Sequence, residues 1–124
     1  MPQTLTERLH RIQARIEAAC ARAQRSTDDV TLIAVSKTFP MARIEAARDA
    51  GLLHFGENKV QELSTKADAL PGTHQGGGVV WHMIGHLQRN KAKEVVAVAD
   101  LFHGLDSPRL AKALNKRAEQ VGRV

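Results

Sequence analysis

The chain has 124 residues, of which 43% are hydrophobic and 25% are charged, and its formal net charge is +5. This length and composition are typical of one globular domain with a core, and they exclude a disordered segment. No run approaches the roughly 18 apolar residues that a membrane span needs, and residues 1–25 lack the apolar centre of a signal peptide. We therefore expect a cytoplasmic protein without membrane association.

In chain order, the spacing of apolar residues predicts alternating helices and strands. The first helix is expected over residues 4–24, with Thr4 and Glu7 as a capping box and Cys20 as a small core residue. Further helices are predicted over 40–51, 60–70, 87–97 and 108–121, and strands over 31–36, 52–55, 79–84 and 101–105. Residues 56–58 are expected to form the turn before the third helix.

Four strand–helix units predict an α/β fold with a parallel sheet, because parallel strands need crossover connections. A doubly wound sheet would place a glycine-rich phosphate turn after its first strand, but residues 36–40 contain no glycine. A (β/α)8 barrel fits better, and in that fold the chemistry lies at the carboxyl ends of the strands. Those ends carry Lys37, residues 57–58, residues 85–88 and residues 106–107.

Lys37 follows the first predicted strand directly. Because desolvation disfavours a charged ammonium, a half-buried lysine has a lowered pKa, and its neutral amine reacts with aldehydes. The alternative is a lysine that extends from the strand end into solvent, which is the commoner outcome for such a position.

The positive charge lies mainly on the first and last predicted helices. Basic helix faces can contact nucleic acid, but the chain has four aromatic residues, no tyrosine and no recognised binding motif. We expect a solvated surface without specific nucleic-acid binding, and an RNA-associated half-domain is the weakest functional hypothesis.

Three blocks of sequence carry a resemblance to a known family. In order and spacing, the segments AVSKT (34–38), FGENKVQE (55–62) and WHMIGHLQRNK (81–91) resemble the pyridoxal phosphate homeostasis protein family. The resemblance covers about residues 5–120. It implies a barrel like that of alanine racemase, with Lys37 in the position of the lysine that binds pyridoxal 5'-phosphate as a Schiff base.

The chain is shorter than the family pattern. Members have about 230 residues and eight strand–helix units, so residues 1–124 are expected to form a single, incomplete barrel domain: the four N-terminal units of a (β/α)8 barrel, preceded by a helix. The serine, threonine and glycine loops that hold the cofactor phosphate in the family are absent. A fragment, a truncated gene product and a half-barrel that pairs with a second copy remain open alternatives, and open sheet edges predict self-association.

The candidate cofactor-binding residues are Lys37, Asn58 and His82. The resemblance implies that Asn58 reaches the cofactor ring or its substituents, although a helix cap is at least as compatible with its local chemistry. His82 lines the site or is a hydrogen-bonded core histidine, which is the commoner outcome. We predict no metal site, because His82 and His86 straddle a strand end and do not share a helix face.

The resulting functional hypothesis is a pyridoxal 5'-phosphate binding protein that holds or buffers the cofactor in homeostasis, without catalytic turnover. The alternative is a racemase-like or lyase-like enzyme that uses the same lysine. Racemases of this barrel type use a second base, commonly a tyrosine, and the chain has no tyrosine.

Overall fold

The computed structural model describes residues 4–123. Within these residues the helices are α1 (Leu5–Ala23), α2 (Met41–Asp49), α3 (Val60–Ala69), α4 (Ala92–Val98) and α5 (Pro108–Gln120). The strands are β1 (Ala34–Val35), β2 (His54–Glu57), β3 (Val80–Met83) and β4 (Leu101–Phe102). Short 3-10 turns occupy Thr27–Asp29, Thr73–Gln75 and Arg89–Lys91.

The four strands form one parallel sheet in the order β1-β2-β3-β4. Consecutive strands are neighbours, as expected when each helix crosses over to the next strand. One row of paired residues, Val35, Gly56, His82 and Leu101, crosses the whole sheet. The predicted α/β class with a parallel sheet is confirmed.

The first helix begins as its sequence predicts. The Thr4 hydroxyl accepts a hydrogen bond from the Glu7 N–H at 3.1 Å, and the Glu7 carboxylate accepts one from the Thr4 N–H at 3.2 Å. The helix ends at Ala23, and Gln24 adopts a left-handed conformation with φ of 58°. Cys20 is buried, which confirms its prediction as a core residue.

The hydrophobic core lies between one face of the sheet and helices α2 to α5. Phe55, Trp81 and Met83 project from the strands into this core and are almost fully buried. The indole N–H of Trp81 donates to the carbonyl of Leu70 at 2.7 Å, so the only polar atom of this side chain is satisfied. The helices contribute an apolar set of Ile44, Ala47, Leu63, Ala67, Val95, Val98 and Leu110.

The opposite face of the sheet, which we call the open face, carries the row of Val35, Gly56, His82 and Leu101. A Cβ atom on Gly56 would lie 3.1 Å from side-chain atoms of Ile33 and Ile84, so those two side chains share this face. Val35 and Leu101 at the ends of the row are 48% and 50% exposed. The open face therefore presents apolar side chains to solvent.

Several predicted boundaries were wrong. β1 and β4 are only two residues long, and β2 extends to Glu57, so Gly56 and Glu57 belong to the strand and not to a turn. The reason is register: Glu57 pairs with Met83, and this pairing outweighs the local preference of glycine for a turn. α4 begins only at Ala92, after a 3-10 turn.

Asp100, just before β4, anchors the loop between α3 and β3. Its carboxylate accepts hydrogen bonds from the Trp81 N–H at 2.7 Å and the His74 N–H at 3.0 Å, and the His74 ring nitrogen lies 2.6 Å away. Burial opposes ionisation of Asp100, but these hydrogen bonds outweigh it and hold the pKa of the carboxyl below its usual range.

No helix within residues 4–123 combines the length and the apolar character needed to cross a bilayer.

Candidate functional site

Lys37 and Asn58 lie at the carboxyl ends of neighbouring strands. Lys37 is two residues beyond Val35 and Asn58 is two residues beyond Gly56, and Val35 is paired with Gly56. The pairing continues past β1, because the Ser36 N–H donates to the carbonyl of Gly56 at 3.0 Å. This register puts Lys37 and Asn58 at the same end of the sheet, each two residues beyond a paired residue of the open face.

The environment of Lys37 differs from the prediction. The sequence predicted partial burial, but Lys37 is exposed. The physical reason is that Lys37 lies in a turn, beyond the end of β1. Its amine is therefore accessible to a small molecule.

The environment of Asn58 shows that the helix-cap alternative was wrong. The residue that caps α3 is Lys59, which makes no side-chain capping hydrogen bond. Asn58 is half-buried, and a Cβ atom on Gly85 would collide with its backbone carbonyl. The glycine at position 85 thus permits the loop after β3 to approach the loop after β2 closely.

His82 lies on β3 and pairs with Gly56, which in turn pairs with Val35, two residues before Lys37. It is 3% exposed, and its two ring nitrogens lie 3.0 Å from a nitrogen of His54 and 2.8 Å from a nitrogen of His103. Burial, followed by the charges of His103 and His54, lowers the pKa of His82 from 6.5 to about 4. His82 is therefore a neutral histidine at pH 7, bonded on both sides within a row of three imidazoles.

A largely buried ion cluster adjoins Ser36 and Thr38, the two neighbours of Lys37. We define it as Glu57, Glu62 and Lys66. The Lys66 ammonium donates to both Glu57 oxygens at 3.0 and 3.1 Å and to Glu62 at 2.8 Å. Glu57 is 0% exposed and Lys66 is 6% exposed. A carboxylate and an ammonium so deeply buried are stable only as partners, because each alone would lose its hydration without compensation.

The ion cluster contacts the backbone on both sides of Lys37. The Lys66 ammonium donates to the Ser36 carbonyl at 2.8 Å, and the Ser36 hydroxyl donates to Glu57. On the other side, the Thr38 N–H donates to Glu62 at 2.6 Å. The hydrogen bond from Lys66, followed by that from Thr38, lowers the pKa of Glu62, so Glu62 is ionised at neutral pH.

The ion cluster was not predicted from the sequence. Lys66 falls three residues after Leu63 and beside Ala67 and Leu70, on the apolar stripe of α3. A lysine on such a stripe signals a buried cation, and a buried cation requires a nearby carboxylate. Glu57 was assigned to a turn, and a charged residue in a turn is not expected to be buried.

The chain is similar in sequence to curated proteins that share one name. The chain is 41% identical over 112 residues to the pyridoxal phosphate homeostasis protein of Aquifex aeolicus, a match that covers 90% of the chain and 47% of that protein. It is also 41% identical over 113 residues to the protein of the same name from Escherichia coli K12, with the same two coverages. The chain thus spans about half the length of these curated relatives. No protein-family model matches the chain.

Solved structures give a similar match. The structure of PipY from Synechococcus elongatus PCC7942 with pyridoxal phosphate bound superposes with a TM-score of 0.75 at 39% identity. That match covers 97% of the chain and 50% of PipY. A crystal structure of a protein from Bifidobacterium adolescentis gives a TM-score of 0.84 at 36% identity, over 95% of the chain and 51% of that protein.

Proposed function

Because the chain belongs to the pyridoxal phosphate homeostasis protein family, we propose that it binds pyridoxal 5'-phosphate as a Schiff base on Lys37 and serves in homeostasis of this cofactor. One observation carries the proposal. Lys37 presents an exposed primary amine at the carboxyl end of the parallel sheet, between two residues that the ion cluster holds through hydrogen bonds. PipY, with pyridoxal phosphate bound, is a structural relative of nearly the whole chain.

The side chains at this end of the sheet fit the chemistry of the cofactor. Pyridoxal 5'-phosphate supplies an aldehyde that reacts with a primary amine, and Lys37 has that group. Asn58 offers a carboxamide that can donate and accept hydrogen bonds. His82 lies on the open face with both ring nitrogens bonded to other histidines, so it would line the site without a hydrogen bond to the cofactor. We propose these three residues as the cofactor-binding set of this chain. Phosphate contacts are expected from the part of the relatives that the chain does not match.

The sheet order supports the proposed barrel. In a doubly wound sheet the strand order reverses at a switch point, whereas here β1 to β4 follow one another and α2 to α5 contribute to one core on one face. We propose that these strand–helix units are the first four units of a (β/α)8 barrel and that residues 1–124 form a single incomplete domain. The open face would then be the barrel interior.

The proposed role is that of a carrier without turnover. Proton transfer at an amino acid α-carbon needs a positioned acid or base in addition to the cofactor. The chain has no tyrosine, and His82, with its pKa of about 4 and both nitrogens bonded to other histidines, is a poor proton donor at pH 7. The alternative is a racemase-like or lyase-like enzyme that uses Lys37 with a group from another chain segment.

Absorbance and turnover assays separate the two functions. Addition of pyridoxal 5'-phosphate should produce the absorbance band of a protonated imine, which Lys37→Ala should lack and the neighbouring exposed Lys59→Ala should retain. Amino acids should shift this band slightly without racemisation or elimination above the free-cofactor background. Steady turnover of alanine, serine or threonine that disappears in Lys37→Ala would establish the enzyme alternative and refute the carrier.

A further inference from the structure

Lys37 lies between two residues whose backbone groups bond to the same buried cluster. Ser36 is held through its carbonyl by Lys66 and through its hydroxyl by Glu57, and Thr38 is held through its N–H by Glu62. The side chain between them is exposed. The cluster thus fixes the backbone from which Lys37 projects without contacting its amine.

The hydrogen bonds of the ion cluster converge on residues 36–38. An ammonium has three hydrogens, and those of Lys66 point to Ser36, Glu57 and Glu62. All three acceptors lie within or bond to residues 36–38. Buried ion pairs contribute little net stability compared with apolar side chains of the same volume, so fold stability alone does not explain the arrangement.

Thr38 adds a second, independent observation. Its φ is +66°, in the left-handed region, although threonine is β-branched. Such a conformation is strained for a β-branched residue and persists only where the surroundings impose it. The Glu62 carboxylate, 2.6 Å from the Thr38 nitrogen, holds the segment in this conformation.

We propose that Glu57, Glu62 and Lys66 are positioning residues that fix the direction in which Lys37 leaves the sheet, so that Lys37 reacts with aldehydes in preference to the other lysines. In this reaction the amine nitrogen of Lys37 bonds to the aldehyde carbon. The aldehyde oxygen leaves as water with the two amine hydrogens. The inference rests on the proposed function for the identity of the natural aldehyde, but not for the positioning itself.

Glu62→Ala tests the positioning, with Asp68→Ala as the matched control. Both acids are on α3, but Asp68 is exposed and outside the cluster. Loss of a charge-assisted hydrogen bond should accelerate hydrogen exchange of the Thr38 amide about tenfold. Glu62→Gln, which keeps an acceptor oxygen, should accelerate it less. Asp68→Ala should leave the exchange unchanged.

Chemical reactivity is the second measurement. Pyridoxal 5'-phosphate followed by borohydride should label Lys37 in preference to the exposed Lys59, and Glu62→Ala should reduce this ratio about tenfold. The double variant Glu57→Gln/Lys66→Met, which replaces the buried charges with neutral groups of similar volume, should reduce it as well. An unchanged labelling ratio in both variants, or unchanged Thr38 exchange in Glu62→Ala, would overturn the inference.

Exchange of the Thr38 amide distinguishes the two ways of failing, because it is measured without any aldehyde. If pyridoxal 5'-phosphate shows no preference for Lys37 in the unmodified chain, the proposed function fails. The positioning then stands if Glu62→Ala accelerates exchange of the Thr38 amide and Asp68→Ala does not, and it fails if the two variants exchange alike.

Discussion

Replacement of Asp100 by alanine should destabilise the chain by about 3 kcal/mol. The carboxylate accepts hydrogen bonds from the backbone N–H groups of Trp81 and His74 and lies 3.2 Å from the Thr73 hydroxyl. Trp81 is 0% exposed, so its N–H would have no water to replace the lost acceptor. A buried unsatisfied donor costs about 1–3 kcal/mol, and a hydrogen bond to a charged group contributes about 1.5–3 kcal/mol. Because both ranges describe the loss of the same hydrogen bonds, we do not add them and take about 3 kcal/mol, the upper end of either range.

Urea unfolding measures this loss. The chain has one tryptophan, which is Trp81 itself, so fluorescence reports the region around Asp100. With a slope of about 2 kcal/mol per molar urea, the midpoint should fall by about 1.5 M. Asp106→Ala is the control, because Asp106 is exposed and its carboxylate lies 3.5 Å from the exposed His86 ring. A midpoint for Asp100→Ala that matches that of Asp106→Ala would refute the role of Asp100 as an anchor.

Three further predictions concern the site. The pKa of His82 is lowered from 6.5 to about 4, so between these pH values the unfolded chain binds more protons than the folded chain. The free energy of unfolding should therefore fall by about 2 kcal/mol from pH 7 to pH 5, and by less in His82→Gln. An equal fall in the variant would contradict the lowered pKa of His82. Lys66→Ala should cost about 3–5 kcal/mol in urea unfolding by leaving Glu57 unpaired, and Glu57→Gln/Lys66→Met should recover most of it; no recovery would contradict the pairing. The chain should self-associate through its open face and sheet edges in sedimentation, less so in Val35→Lys, whereas a stable monomer with the cofactor affinity of a full-length relative would contradict the half-barrel.

Local sequence signals predicted most of the fold. The capping residues Thr4 and Ser107 mark helix starts in the structure, because their hydroxyls accept backbone N–H groups within three residues. The alternation of predicted strands and helices predicted the parallel sheet, because the periodicity of apolar residues is a local property of the sequence. The ends of the short strands could not be predicted, because they depend on pairing with neighbouring strands.

The site was less predictable because burial is a tertiary property. Lys37 was expected to be half-buried and is exposed, whereas Lys66 was overlooked and is buried. The two lysines differ because Lys66 on α3 packs against Glu57 on β2, whereas Lys37 lies in a turn beyond β1. The bonded row of His54, His82 and His103 likewise requires three strands in register, which no local pattern encodes.

Peptide mapping after borohydride reduction tests the central claim most directly. The unmodified chain is incubated with pyridoxal 5'-phosphate, reduced and digested, and the labelled lysine is identified by mass spectrometry. The label should lie on Lys37, Lys37→Ala should lose it, and Lys59→Ala should keep it. A label spread over the exposed lysines, or undiminished in Lys37→Ala, would contradict the proposal that this chain holds the cofactor through Lys37.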